Sequence, residues 1–189
     1  MKMRKRFASF TMILLGLVVL AAPSRAQDAS QRPSPPAKAD CKFSDGKAIH
    51  VDYSSPRAKG RKIYGGLVPY GEVWRAGANE ATTFVVDTDV TIGGKSVPAG
   101  SYTLFTIPNQ DKWTLVVSKK TKNAKGGPLW GVPYPGAGDD FARVDGMKVS
   151  ALPSAVENFT ISFASSGSAC TLQMDWETTR ASIEISEKK

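Results

Sequence analysis

One histidine and two cysteines are all that this 189-residue sequence offers of the side chains that most often bind transition metals or attack substrates. A Ser-His-Asp triad would have to use His50, which reads as a mid-strand residue on the face opposite Ile49, Val51 and Tyr53, and the sequence has no Gly-x-Ser-x-Gly elbow. Zinc needs three or four His, Cys or carboxylate ligands, so a zinc site is excluded. Asp139 and Asp140, or Asp87 and Asp89, do not form the dense ligand loop that calcium requires, and no metal or other cofactor is expected. Phosphate-binding and dinucleotide-binding glycine spacings are missing, and so is any convincing amphipathic helix after the first 26 residues.

The chain does have a strongly marked beginning. MKMRKR is basic, FASFTMILLGLVVLAA is apolar, and Ser24-Arg25-Ala26 supplies small residues where a signal peptidase cuts, so residues 1–26 read as a secretory signal. The apolar run also approaches the ~17 residues of the shortest membrane span, which leaves a retained anchor as the alternative and confines membrane contact to this segment. Export changes the charge argument. The formal +8 includes Lys2, Arg4, Lys5, Arg6 and Arg25; without those five, 20 basic residues face 17 acidic ones, a net +3. So small an excess, with no clustered basic face, excludes nucleic acid as the expected partner.

Residues 27–40 contain three prolines and no large apolar side chain, and read as a flexible linker. The remainder, 41–189, suits one domain with a real core. Cys41 and Cys170 are an isolated pair in an exported chain, which points to a disulfide. Period-two alternation then dominates. Ile49, Val51 and Tyr53 share one face, as do Phe159, Ile161 and Phe163, then Cys170, Leu172, Met174 and Trp176, and finally Ala181, Ile183 and Ile185. TTFVVD, GSYTLFTI, KWTLVVS and DGMKVSAL add further strands, with turn-rich connectors between several of them. At least eight short strands with polar outer faces give an all-β, antiparallel β-sandwich, with a closed barrel as the alternative.

Two regions break the alternation, residues 53–83 and 120–140, and long irregular connections that carry aromatics are where function concentrates. In the first, Arg57, Lys59 and Arg61 occupy alternate positions, and an extended backbone would put all three cations on one face. That face is either an anion site, with arginine gripping a carboxylate, sulfate or phosphate, or a solvated edge that prevents aggregation. Trp74-Arg75 followed by Asn79-Glu80 is also open to two readings. Indole, guanidinium, amide and carboxylate together could hold a small polar ligand, or Trp74 could plug the core while Glu80 pairs with Arg75. Trp130 and Tyr134 in the second region are candidates to close over the same site.

YSSPRAKGRKIYGGLVPYGEVWRAGANEATT, followed by VTIGGKSVPAGSYTLFTIP and a WTLVVS strand, resembles the bacterial family known as domain of unknown function 2911 over roughly residues 47–186. The resemblance implies an exported domain of a family with no established activity, cofactor or catalytic residue. GVPYPGAGDD, in the second irregular region, departs from that family's pattern.

Three functional readings follow. The leading one is a non-enzymatic, exported binding module for an anionic or sugar-like envelope ligand, using Arg57, Lys59, Arg61, Trp74, Arg75, Asn79 and Glu80, with Trp130 and Tyr134. The second is a hydrolase of an envelope carbohydrate or ester, working through Glu80 and another acid. The third is a structural domain, or one that pairs with another protein through the 120–140 region.

Overall fold

A computed structural model of the chain describes residues 31–188, so the signal-like segment lies outside the described residues. Nine strands follow one another: β1 (Pro36–Lys42), β2 (Ala48–Ser54), β3 (Thr82–Val86), β4 (Val90–Ile92), β5 (Lys95–Val97), β6 (Gly100–Ile107), β7 (Lys112–Ser118), β8 (Asp140–Ser165) and β9 (Ala169–Glu187). All pairings are antiparallel, in the order β1-β2-β3-β6-β7-β8-β9-β4-β5. The order has two ends, so the alternative of a closed barrel is not adopted.

One continuous sheet nevertheless encloses a core, because its longest strands bend. β8 and β9 form a hairpin whose register shifts between Ala151 and Val156 and again between Val156 and Thr160. Extra residues on one strand of an antiparallel pair bend it without ending it, and Pro153, which has no N–H to give, falls in the unpaired stretch. Beyond the bend the hairpin returns over β1 and β2. The Tyr53 hydroxyl accepts from the Ile161 N–H at 3.0 Å, Ser55 Oγ donates to the Phe159 carbonyl at 2.7 Å, and the Cys41–Cys170 disulfide ties β1 to β9. The sequence reads DGMKVSAL and the Phe159–Phe163 run as separate strands; the structure makes both parts of β8.

The alternating residues point where periodicity places them. Ile49, Val51 and Tyr53, Phe159 and Ile161, Cys170 through Trp176, and Ala181 through Ile185 join Phe84, Leu104, Trp113 and Leu115 in one buried cluster, with Phe163 half-buried at its margin. His50 faces outward, its Nδ1 lying 2.6 Å from Asp40 Oδ1.

The linker expected over 27–40 requires correction at its C-terminal end. β1 begins at Pro36 and pairs with β2 from Pro36↔Ser54 to Lys42↔Ala48. The composition argument weighed only large apolar side chains. Ala37, Ala39 and Cys41 turn inward with little to bury, while a full backbone ladder and the disulfide hold the strand.

The disulfide closes a loop with a sequence separation of 129. Chain entropy for a loop of that size corresponds to about 4–5 kcal/mol. A Cys41→Ser/Cys170→Ser double variant should lose stability of about that size in denaturant titration, with the parent under reducing conditions falling to the same value.

Candidate functional site

The connection from β2 to β3 lays an irregular segment beside the end of β6. Trp74 exchanges backbone hydrogen bonds with Thr106, at 2.7 and 2.8 Å, just beyond the point where β3 stops pairing with β6. Its indole then stacks on Trp176, with ring centroids 5.8 Å apart and planes 18° from parallel, and meets Phe159 edge-on at 4.9 Å. Tyr64 packs edge-on against Trp74, Trp113 and Trp176. Trp74 is therefore the core plug of the structural reading, although part of it still lines a cleft.

The backbone turns sharply after it. Ala76, fully buried, has φ 49°, and Asn79 has φ 56°. The left-handed conformation costs an alanine roughly 1–2 kcal/mol, and the Ala76 carbonyl is held in it by the Thr82 hydroxyl at 2.8 Å. Asn79 tolerates the conformation, and its amide donates to the Ser34 carbonyl at 3.0 Å.

The two irregular regions, independent in sequence, are joined by backbone. Ala81 N–H donates to the Leu129 carbonyl at 2.8 Å, Gly131 N–H to the Asn79 carbonyl at 3.2 Å, and Glu80 and Trp130 form an antiparallel bridge. Gly131 is required at this seam, since a Cβ there would lie 2.6 Å from Arg75 Cδ and 2.7 Å from Arg75 Cβ. The Arg75 stem thus runs along bare backbone.

A cleft of about 410 Å³ opens between the two regions. Its walls include Val73, Trp74, Ala78 and Val132, with Arg61, Arg75 and Tyr134 supplying polar groups. Arg75 is half-buried, and burial pushes its guanidinium pKa down. Its Nε donates to the Gly77 carbonyl at 3.2 Å. Arg61 also lines an adjoining cleft of about 320 Å³, with Arg57 and Lys59. Arg57 Nη1 donates to the Ser55 carbonyl and hydroxyl at 2.8 and 2.9 Å, and Arg61 donates to the carbonyls of Ala58 and Arg57 at 2.9 and 2.6 Å. Among the described residues, none of Arg57, Lys59, Arg61 and Arg75 has a carboxylate within 4.0 Å of its side-chain nitrogens.

Several expected placements change. Arg57, Lys59 and Arg61 do reach one depression, but through a turn at Lys59, with φ 51°, in place of an extended strand. The expected Glu80–Arg75 pair does not form. The isolated bridge to Trp130 fixes the Glu80 backbone, and its carboxylate takes Arg32 at 2.8 and 3.1 Å while lining a small separate cleft with Asp52 and Thr83. Asn79 ties down the residue 31–35 segment without lining the main cleft. Trp130 borders a further depression, whereas Tyr134 is shared between that one and the cationic cleft.

Tyr134 is set by Asp140, which the sequence reading weighed only as a calcium ligand or acid, and by Arg143, which it passed over. Its hydroxyl donates to Asp140, Arg143 Nε donates to Asp140 Oδ2 at 2.7 Å, and Arg143 Nη2 donates to the Tyr134 oxygen at 3.1 Å. Arg32 and Ser34 were also missed, lying in a segment read as linker; a basic residue beside prolines carries no local signal of its eventual partner. Among the described residues, no three His, Cys, Asp or Glu side chains come together as a metal site, and no helix is long and apolar enough to cross a membrane.

A family model described as "Protein of unknown function (DUF2911)" matches residues 34–185. The chain belongs to this family. The match begins at Ser34, in keeping with a folded unit that starts ahead of Cys41. No curated protein and no solved structure matches the chain. Membership in DUF2911 therefore brings no assigned chemistry, and the geometry has to supply the functional argument.

Burial acts to raise the Glu80 pKa, but hydrogen bonds from Arg32 and from its own backbone N–H, with the charge of Arg32, outweigh it and hold the carboxyl below its usual range. Because the folded-state pKa is depressed, the stabilisation is present at neutral pH and is lost as pH falls through the folded-state value. With both side chains about one-third exposed, the pair is worth about 0.5–1 kcal/mol. Glu80→Gln should lower stability by that amount at pH 7 in urea titration, and the difference from the parent should close as the pH is brought below the ordinary carboxylate range.

Proposed function

We propose that this DUF2911 protein is an exported, non-enzymatic binding module that takes a small anion in the cleft between the 55–81 connection and the 129–135 segment. The observation that carries this reading is Arg75, a half-buried guanidinium facing an apolar-walled cleft with a backbone carbonyl as its hydrogen-bond partner. Buried charges are ordinarily paired, because an uncompensated one costs several kcal/mol. Arg75, only half-buried, bears a reduced share of that cost, and a counter-charge arriving as ligand accounts for its lack of a carboxylate partner. Arg57, Lys59 and Arg61 at the adjoining cleft add to the positive potential there, and the floor of Trp74 lowers the local dielectric and strengthens attraction. The Cys41–Cys170 disulfide is compatible with an oxidising compartment and supports export. For the hydrolase reading, Glu80 is held ionised by Arg32, the reverse of what a general acid needs.

The test is calorimetric titration of the disulfide-bonded protein with phosphate, sulfate and acetate, alongside Arg75→Gln. At least one anion should bind the parent and bind the variant about 10- to 100-fold more weakly, as expected when a charge-assisted hydrogen bond is lost. Binding should also weaken with added salt. Without ligand, Arg75→Gln should unfold at the same temperature as the parent or slightly higher, since it keeps much of the stem against Gly131 and removes an unpaired charge. A loss of several kcal/mol without ligand would make Arg75 a structural residue and end the proposal.

A further inference from the structure

The cationic cleft is bordered by apolar side chains that the protein leaves in water. Leu67 is 48% exposed, Val132 57% and Trp130 52%. Leu67 and Val132 line the cleft itself. On the other side of the 132–134 segment lies a second depression of about 450 Å³, bounded by Leu129, Trp130, Pro133 and Pro135. Val132 and Tyr134 belong to both, so the two depressions share a wall.

The second depression offers little to a polar ligand. Asn123, on its rim, has its amide spent within its own turn: Oδ1 accepts from the N–H groups of Lys125 and Gly127, and Nδ2 donates to the Pro128 carbonyl. Tyr134 is likewise committed to Asp140 and Arg143. Lys120 and Asp139 also border it, one cation against one carboxylate, and the rest is an aromatic, proline-lined and mainly apolar surface that shares Val132 and Tyr134 with the cationic cleft.

We infer that the ligand is a single-chain anionic amphiphile, its carboxylate or phosphate head on Arg75 and Arg61 and its alkyl tail carried over Val132 against Trp130. This inference rests on the anion-binding reading of the cleft and goes further by assigning the second depression to the same molecule. Charge complementarity fixes the head, and the adjoining exposed apolar surface fixes the character of the tail. A fully buried methylene is worth up to about fourfold in affinity, so chain length becomes a readable variable.

The experiment is calorimetric titration with acetate, hexanoate and decanoate below the micellar concentration, and with inorganic phosphate, using the parent, Trp130→Ala, Val132→Ser and Arg75→Gln. Phosphatidylglycerol vesicles form a separate arm. The expected result is decanoate binding at least about tenfold more tightly than acetate. Trp130→Ala, at an exposed position outside the cationic cleft, should remove that advantage and leave acetate and phosphate binding unchanged; Val132→Ser, in the shared wall, should weaken decanoate more than acetate; and Arg75→Gln should weaken every anion. Acetate and decanoate binding equally well through Arg75 would overturn the amphiphile while preserving the anion site. Failure of all the anions would overturn both. Decanoate binding unaffected by Arg75→Gln would overturn the head-group assignment. Binding confined to the vesicles would make the patch a membrane-docking surface and overturn the single-molecule ligand.

Discussion

Trp74 lies flat on Trp176 and edge-on to Phe159, and by those contacts, together with buried Ile63, Tyr64 and Val68, the irregular connection over residues 55–81 is fixed to the core. A fully buried indole is worth about 3–5 kcal/mol, judged from what its removal ordinarily costs, and the partly buried Trp74 supplies a share of that. That is enough to hold the strained backbone immediately after it. With Trp74 inward and hydrogen-bonded to Thr106, Arg75 is directed away from the aromatic cluster, and the left-handed turn at Ala76 brings the Gly77 carbonyl back to meet its Nε. The cleft is thus a consequence of how the connection is anchored. Its floor is the core's own aromatic cluster, and its cation is the residue next to the anchor.

The sheet was largely legible in the sequence, since alternation reports burial directly where one face is wet. Cys170-Leu172-Met174-Trp176 could be assigned to the core without any knowledge of its partner strand. Alternation does not report where a strand ends if a bulge lets it bend, which is why β8 reads as two strands. It is also weak where the inward residues are small, as at Ala37 and Ala39, so β1 was hidden in a proline-rich segment. The candidate site was legible by composition and not by pairing. Arg61, Trp74, Arg75 and Tyr134 do converge on one cleft, yet Glu80 found Arg32 and not Arg75. A charge pair is decided by backbone direction at both ends, and the bridge between Glu80 and Trp130 depends on a second region some fifty residues away.

That bridge has a larger role. Residues 79–81 and 129–131 zip together by backbone hydrogen bonds, which are indifferent to most side-chain identities. The seam therefore tolerates variation in the side chains that face outward, Trp130 and Val132 among them, while holding their Cα positions beside the cleft. Gly131 is the exception, because the Arg75 stem occupies the space its side chain would need.

The way the arginines are held bears on what they can grip. Arg61 uses Nε and Nη2 on protein carbonyls, and Arg57 uses Nη1, so each presents only part of its fork to a ligand. Arg75 uses Nε alone, on Gly77, and among the described residues its two terminal nitrogens take no protein acceptor. Those two nitrogens form the parallel pair that donates to both oxygens of a carboxylate or to two oxygens of a phosphate. Since the Nε contact and the Gly131 backbone already restrict the side chain, less rotamer freedom is left to lose when the pair of bonds forms. The same restraint limits how far Arg75 can swing, although its half-buried guanidinium already meets water on one side. On the proposed reading an entering anion pairs with it, and the apolar side chains beside Arg75 favour anions that carry apolar surface.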